Sequence, residues 1–141
     1  MSPSNTDRCP CGTGETYGAC CGKIHAVFDA EQKVSAPTPE ALMRSRFTAF
    51  ATGNVPYLLA SWHPSTRPDS LDLDSSLRWY RLDILGSTGG VFDTTGTVKF
   101  AAYYRSAPGT DPKRRVKGVQ QENSRFEKLN GRWLYLDGEV K

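Results

Sequence analysis

The chain has 141 residues, of which 38% are hydrophobic and 23% charged, and its net charge is +3. This length leaves no room for a second core of ordinary size, so we expect one main domain plus a small appendage. The apolar runs are too short to cross a bilayer, and so mild a charge does not by itself identify a partner.

Residues 1–8 lack both the basic start and the apolar stretch of a secretory signal peptide. We therefore expect a cytoplasmic location and no association with membranes.

All four cysteines lie close together near the N-terminus, as Cys9, Cys11, Cys20 and Cys21. A zinc ion takes four soft ligands in a tetrahedron, and a Cys-x-Cys pair plus an adjacent pair can supply them when turns bring the pairs together. The pattern predicts a zinc site with these four ligands. Two disulfides are one alternative, which a reducing cytosol disfavours. Thiol redox chemistry is another, which the absence of Cys-x-x-Cys spacing disfavours.

His25 lies four residues after Cys21, and for it a packing role is favoured over ligation.

Residues 9–22 read Cys-Pro-Cys-Gly-Thr-Gly-Glu-Thr-Tyr-Gly-Ala-Cys-Cys-Gly, and this segment resembles the SEC-C motif. The resemblance implies a zinc knuckle over residues 1–27 that docks protein partners or ribosomes. The loop carries Glu15 and Thr16 where that family often has lysines. We therefore expect an unidentified protein partner at the knuckle, and a nucleic-acid or ribosome-associated role is the less favoured alternative.

Residues 28–37 are interpreted as a connector. Thr38 and Pro39 then predict a helix start, through an N-cap hydroxyl and a proline at the first helical position. The helix should run to about Thr52, before Gly53, with one apolar stripe of Met43, Phe47, Phe50 and Ala51.

Arg46 lies beside this apolar stripe, so its side chain should either extend to water or meet a buried acid. A second short helix is predicted from a cap at Asn54 through Trp62, before His63 and Pro64 break it.

Beyond this point the hydrophobic period changes to 2. Tyr80, Leu82 and Ile84 alternate with polar residues, as do alternate positions from Val98 to Tyr104, so both segments are predicted to be strands.

Asn130 and Gly131 predict a tight hairpin turn between the last two strands. If Leu129 faces Arg132, then Ser124, Phe126 and Lys128 should lie across from Asp137, Tyr135 and Trp133. Arg125 should then join Leu134 and Leu136 on a partly apolar face.

Helices followed by antiparallel strands favour an α+β fold in which helices pack on one face of a curved antiparallel sheet, leaving a pocket.

Nearly the whole chain also resembles the YchJ family, in which a SEC-C knuckle precedes a domain like nuclear transport factor two (NTF2). The resemblance is carried by residues 45–50, 62–68, 124–126 and 131–138. It implies a cone-like, NTF2-like domain over residues 38–141, and either a monomer or a homodimer.

We expect a zinc-binding accessory or interaction protein. The alternative is a small-molecule binder or a lyase- or isomerase-type enzyme that uses the pocket, since a histidine can exchange protons and an arginine can hold an anion. The candidate pocket residues are Arg46, Trp62, His63, Arg67 and Arg125.

A basic cluster of Lys113, Arg114, Arg115 and Lys117 is interpreted as a solvated hairpin tip.

Overall fold

The computed structural model describes residues 3–140, and within this range three helices precede a four-stranded sheet. The helices are α1 (Cys21–Glu31), α2 (Pro39–Thr52) and α3 (Val55–Ala60). The strands are β1 (Leu77–Thr88), β2 (Thr95–Ser106), β3 (Lys117–Leu129) and β4 (Arg132–Val140). They pair antiparallel in the order β1-β2-β3-β4, which confirms the predicted α+β fold. No helix of residues 3–140 is long and apolar enough to span a membrane.

Helix α2 begins and ends where the sequence predicted. The Thr38 hydroxyl accepts a hydrogen bond from the Ala41 amide at 3.1 Å, and Gly53 terminates the helix with φ of 78°. More of this helix is buried than one stripe, because Leu42 and Ala49 are fully enclosed as well as Phe47. The sheet covers one side of α2, and the N-terminal segment covers another.

Helix α1 is an element that the sequence analysis did not predict, and it runs into the segment interpreted as a connector. Its buried residues include His25 and Phe28, whose rings pack on Tyr57 at centroid distances of 4.7 and 5.5 Å. The helix therefore forms because its inner face has a tertiary partner, which a single sequence does not reveal.

Helix α3 is shorter than predicted and ends at Ala60. Trp62 has left the helical path and forms a parallel bridge with Tyr135 of β4. The Tyr135 amide donates to the Ser61 carbonyl at 2.8 Å, and the His63 amide donates to the Tyr135 carbonyl at 2.7 Å. This pairing with β4 replaces the last predicted helical turn.

Register shifts interrupt the strand pairing at three places, two in β1 and one in the β3–β4 pair. In β1 a bulge between Trp79 and Arg81 turns Tyr80 outward, so that Trp79 joins Leu82 on the inner face. The prediction that Tyr80 shares a face with Leu82 was wrong for this reason, since one extra residue reverses the side-chain alternation.

The β3–β4 hairpin has the predicted turn and initial register. Leu129 faces Arg132, and Lys128 and Phe126 face Trp133 and Tyr135. A bulge between Arg125 and Phe126 then shifts the register, so Ser124 lies across from Gly138 and Arg125 across from Asp137. The predicted pairing of Ser124 with Asp137 was therefore wrong.

Gly131 offers a test of what holds this turn. Its φ is 79°, and a Cβ there would meet nothing within 4 Å, so the cost of a side chain comes from the backbone alone. Gly131→Ala should lower the free energy of unfolding by about 1–2 kcal/mol in urea titrations. Asn130→Gly is the matched control, because φ at Asn130 is also positive, and should change stability by less than about 0.5 kcal/mol. Equal stability of Gly131→Ala and wild type would contradict this account.

Candidate metal centre and pocket

The four cysteine sulfurs converge beside the middle of α2, where Arg44 and Thr48 contact the cysteine loop. The Sγ atoms of Cys9, Cys11, Cys20 and Cys21 all lie within 4.8 Å of one another, and those of Cys11 and Cys20 are 3.5 Å apart. A tetrahedron with Zn–S distances of about 2.3 Å places its sulfurs about 3.8 Å apart. All four cysteines are free. The donor set and its spacing therefore fit one tetrahedral metal ion.

Backbone hydrogen bonds shape this cysteine loop. The Cys9 amide donates to the Glu15 carbonyl at 2.9 Å, and the Tyr17 amide donates to the Asp7 carbonyl at 2.7 Å. Gly22 is required next to the cysteine pair, because a Cβ there would lie 2.5 Å from the Tyr17 carbonyl oxygen. The Cys-Cys-Gly sequence thus lets α1 start directly against the turn at Tyr17–Ala19.

The thiols strongly influence one another. Hydrogen bonds from Cys11 and Cys21 lower the pKa of Cys9, while hydrogen bonds to Cys11 and Cys9, together with burial, raise the pKa of Cys21. For Cys11, a hydrogen bond from Cys21 lowers the pKa, but the hydrogen bond to Cys9 and burial outweigh it and raise the pKa to about 11. The cluster thus accommodates one thiolate easily and further ones only with a compensating cation.

Helix α2 fastens the cysteine loop to the body. Arg44 donates from Nη1 to the Cys11 carbonyl at 2.9 Å and from Nε to Glu40 at 3.1 Å. The Thr48 hydroxyl lies 3.8 Å from Cys9 Sγ. Three of the cysteines are at most 2% exposed, whereas Cys20 is half-buried. The cysteine cluster is therefore part of the core and not a detached appendage.

His25 packs between the loop and α2, outside the sulfur cluster. Its Nε2 lies 2.9 Å from the Ser45 carbonyl and must donate to it, so Nδ1 accepts from the Tyr17 hydroxyl at 2.7 Å. This is the packing role that was favoured from the sequence. Burial lowers the pKa of His25 below its ordinary value of about 6.5, despite the opposing hydrogen bond to Ser45.

The lowered pKa of His25 predicts a pH effect. The His25 imidazole binds its second proton at a higher pH in the unfolded chain than in the folded chain. The neutral ring therefore makes its full contribution to the free energy of unfolding above about pH 6.5, and this contribution is lost as the pH falls. NMR of ¹⁵N-labelled imidazole should show an Nε2–H tautomer with a titration midpoint below that of the same residue in urea-unfolded protein. Equal midpoints in the two states would contradict the assignment.

The segment from Trp62 to Arg67 is held by its own hydrogen bonds. Arg67 donates from Nε and Nη2 to the Trp62 carbonyl at 3.1 and 2.8 Å, and the Thr66 hydroxyl donates to the Leu136 carbonyl at 2.6 Å. Arg67 is exposed and lies outside the cavity described below. The Arg67 hydrogen bonds close the loop on itself, and the Thr66 hydrogen bond fastens it to β4.

His63 also lies outside the cavity lining. Its Nδ1 accepts from the amide and hydroxyl of Ser65 at 3.1 and 2.8 Å, and its Nε2 lies 3.4 Å from Glu127 Oε1. That last contact is an ion-pair distance without hydrogen-bond alignment. The sequence did not indicate Glu127 as the neighbouring acid, because the two residues are 64 positions apart and meet only through strand pairing.

A cavity of about 300 Å³ lies between α2 and the inner face of the sheet. Arg46 and Trp62 are the candidate pocket residues that line it. The other lining side chains are Met43, Phe47, Phe50, Trp79, Phe100, Ala102, Gln120, Glu122, Ser124, Tyr135 and Val140. The wall is thus mainly apolar and aromatic, with a few polar groups, as ligand pockets usually are.

Arg46 follows neither of its predicted courses, because it reaches neither water nor an acid. It is 3% exposed, and its Nη1 donates to the Leu58 carbonyl at 2.8 Å and the Ser61 hydroxyl at 2.6 Å. The guanidinium carbon lies 5.1 and 4.5 Å from the ring centres of Trp62 and Tyr135. Burial lowers the pKa of Arg46 to about 10, so the group stays cationic at neutral pH.

Arg125 is exposed on the outer face of the sheet and does not line the cavity. It donates from Nε to Asp137 at 2.6 Å and pairs with the same carboxylate through Nη2, which lowers the pKa of Asp137. The predicted apolar surroundings of Arg125 were wrong because the bulge in this hairpin brings Asp137, and not Leu136, beside it.

The basic cluster lies at the β2–β3 connection, as expected. Lys113 and Arg114 belong to a short helical turn capped by Asp111, and Arg115 and Lys117 follow it, all exposed. The strand register sets Lys117 beside Arg105, and Arg105 beside Arg78. This row of like charges across three strands was not visible in the sequence.

Comparisons with known proteins agree with this architecture. A model of the YchJ middle NTF2-like domain matches residues 38–138, and a SEC-C motif model matches residues 6–23. A UPF0225 protein of Corynebacterium glutamicum is 54% identical over 134 residues, which is 94% of this chain and 97% of the relative.

Two solved structures of SEC-C motif containing proteins are also similar. The solution structure from Rhodopseudomonas palustris has a TM-score of 0.75 at 35% identity and covers 94% of this chain and 97% of its own. The crystal structure from Psychrobacter arcticus has a TM-score of 0.73 at 25% identity, with coverage of 97% and 84%.

These findings define a SEC-C knuckle joined to an NTF2-like domain. The chain belongs to the YchJ family, and its Corynebacterium glutamicum relative carries the name UPF0225.

Proposed function

We propose that this chain is a zinc-binding accessory protein of the cytoplasm, in which a structural zinc holds the knuckle on α2 and presents a loop for a protein partner. The observation that carries the proposal is the convergence of four cysteine sulfurs within 4.8 Å. In a reducing compartment such a cluster of free thiols is better suited to metal than to disulfides.

The composition and burial of the site support a structural and not a catalytic metal. Four thiolates complete the coordination of zinc, whereas a catalytic zinc keeps one position for water or substrate. Cys9, Cys11 and Cys21 are buried against the body of the protein. Zinc is the best match to an all-sulfur tetrahedral site, because it is a soft-ligand metal without redox chemistry of its own.

The loop over residues 12–16, here called the knuckle loop, is the surface proposed for docking. Each of its residues is exposed, while its two ends are fixed by Cys11 and by the bond between Tyr17 and Asp7. A loop held rigid on a metal centre loses little entropy when a partner binds. Its one charged residue is Glu15, which favours a protein surface over nucleic acid as the partner.

Metal analysis of purified protein tests the first half of the proposal. Wild type should contain one zinc per chain by elemental analysis and native mass spectrometry. The double variant Cys20→Ser/Cys21→Ser should lose it, because two of four ligands are gone. His25→Gln should retain zinc, since His25 lies outside the sulfur cluster. Metal-free wild type with oxidised cysteines would refute the proposal and favour thiol redox chemistry.

Partner capture tests the second half. Glu15→Lys/Thr16→Lys changes the charge of the knuckle loop without touching a sulfur, and should reduce capture of a partner from a bacterial lysate at least about tenfold. Unchanged zinc content shows that the knuckle stays folded. Ser124→Ala in the cavity is the matched control and should capture normally. Capture that survives the loop change but fails with Ser124→Ala would transfer the function to the cavity.

A further inference from the structure

Arg46 has an unusual position for a charged side chain. It is 3% exposed, and no carboxylate among residues 3–140 forms an ion pair with it. Burial lowers the pKa of Arg46, and the longer-range attraction of Glu122 opposes this only weakly. A buried cation without an anionic partner is costly, so a compensating negative group is expected beside it.

Part of the guanidinium is satisfied by the protein and part is not. Both hydrogen bonds that Arg46 makes to the described residues, to the Leu58 carbonyl and the Ser61 hydroxyl, start from Nη1. The N–H groups on Nε and Nη2 therefore remain free on a residue that lines the cavity. Together they form the planar fork that matches a carboxylate.

A second polar group of the same cavity is also without a partner. Ser124 is fully buried, its Oγ makes no hydrogen bond within residues 3–140, and the residue lines the cavity. The indole Nε1 of Trp62, another lining residue, is likewise buried and unpaired. Buried polar groups are nearly always hydrogen-bonded, so these two unpaired groups, beside the free N–H groups of Arg46, indicate a ligand with acceptor atoms.

We propose that the cavity binds a small aromatic monocarboxylate, whose carboxylate accepts hydrogen bonds from Arg46 and Ser124 while its ring packs on the aromatic wall. Phe50, Trp79 and Phe100 supply that wall. A volume of about 300 Å³ suits a ligand of one or two rings. The cavity opens beside Val140, which lines it and is 63% exposed.

The charge of the cavity limits the ligand to a single negative charge. Arg46 brings one positive charge, and Glu122, which accepts a hydrogen bond from the Tyr135 hydroxyl at 3.1 Å, brings a negative one to the same lining. A dianion such as a phosphate monoester would be repelled by Glu122 more strongly than a monocarboxylate. This site is separate from the zinc knuckle, and its existence does not depend on the proposed docking function.

The test uses the full zinc-loaded chain with benzoate, phenylacetate and indole-3-acetate, each compared with its primary amide. The amide keeps shape and ring but lacks the charge. At least one acid should bind saturably in calorimetry, and at least about tenfold more tightly than its amide. Failure of all three acids to bind, or equal affinity of acid and amide, would overturn the proposal.

The indole N–H signals in NMR locate the binding. Trp62 and Trp79 line the cavity and should shift as the acid is added, whereas Trp133, buried elsewhere in the core, should not. If an acid binds but the Trp62 indole N–H signal does not shift, the acid binds elsewhere, and the proposed site is refuted.

Two variants separate the roles of the polar groups. Ser124→Ala removes one hydroxyl and should weaken the acid about three- to tenfold with the fold intact. Arg46→Gln should abolish the preference for acid over amide. If Arg46→Gln does not fold, the test rests on Ser124→Ala. An affinity of Ser124→Ala for the acid equal to that of wild type would refute the carboxylate contact. Ser65→Ala, an exposed serine outside the cavity, is the control and should bind as wild type.

Discussion

The burial of helix α2 on two sides is the constraint on which the rest of this structure depends. One side carries Phe47 against the sheet, and the other carries Thr48 against the sulfur of Cys9. Leu42 and Ala49 are fully enclosed as a result. A fourteen-residue helix with a hydroxyl cap would be marginal alone, so its stability comes from tertiary packing, to which both sides contribute. The sheet and the cysteine loop each supply one of them.

The knuckle is therefore joined to the body through shared packing. The cysteines belong to the same buried cluster as Tyr57 on α3 and Trp133 on β4. Because a structural metal contributes its binding free energy to folding, a zinc ion at the cysteines would stabilise α1 and the adjoining side of α2 as well as the loop. The resemblance to a small docking motif did not indicate this, since a motif pattern describes ligands and not what they pack against.

Sequence patterns were informative wherever one local interaction decides the structure. The Thr38 cap, the Asn130 turn and the clustered cysteines each depend on neighbours within a few residues, and all were located from the sequence. The bulge before Phe126 and helix α1 depend on distant partners, and they were missed. The environment of Arg46 belongs to the second kind, because Ser61 and Tyr135 reach it only once α3 and β4 are packed.

Helix α2 also connects the two candidate sites. Arg44 and Thr48 contact the cysteine loop, while Arg46 and Phe50 line the cavity, so residues two positions apart serve different sites. A helix transmits position along and around its axis with little deformation, because its backbone hydrogen bonds fix each turn. The contacts that hold α2 against the knuckle therefore also set where the Arg46 guanidinium lies in the cavity. A carboxylate that pairs with Arg46 and a metal that gathers the cysteines would therefore both act on the placement of this one helix.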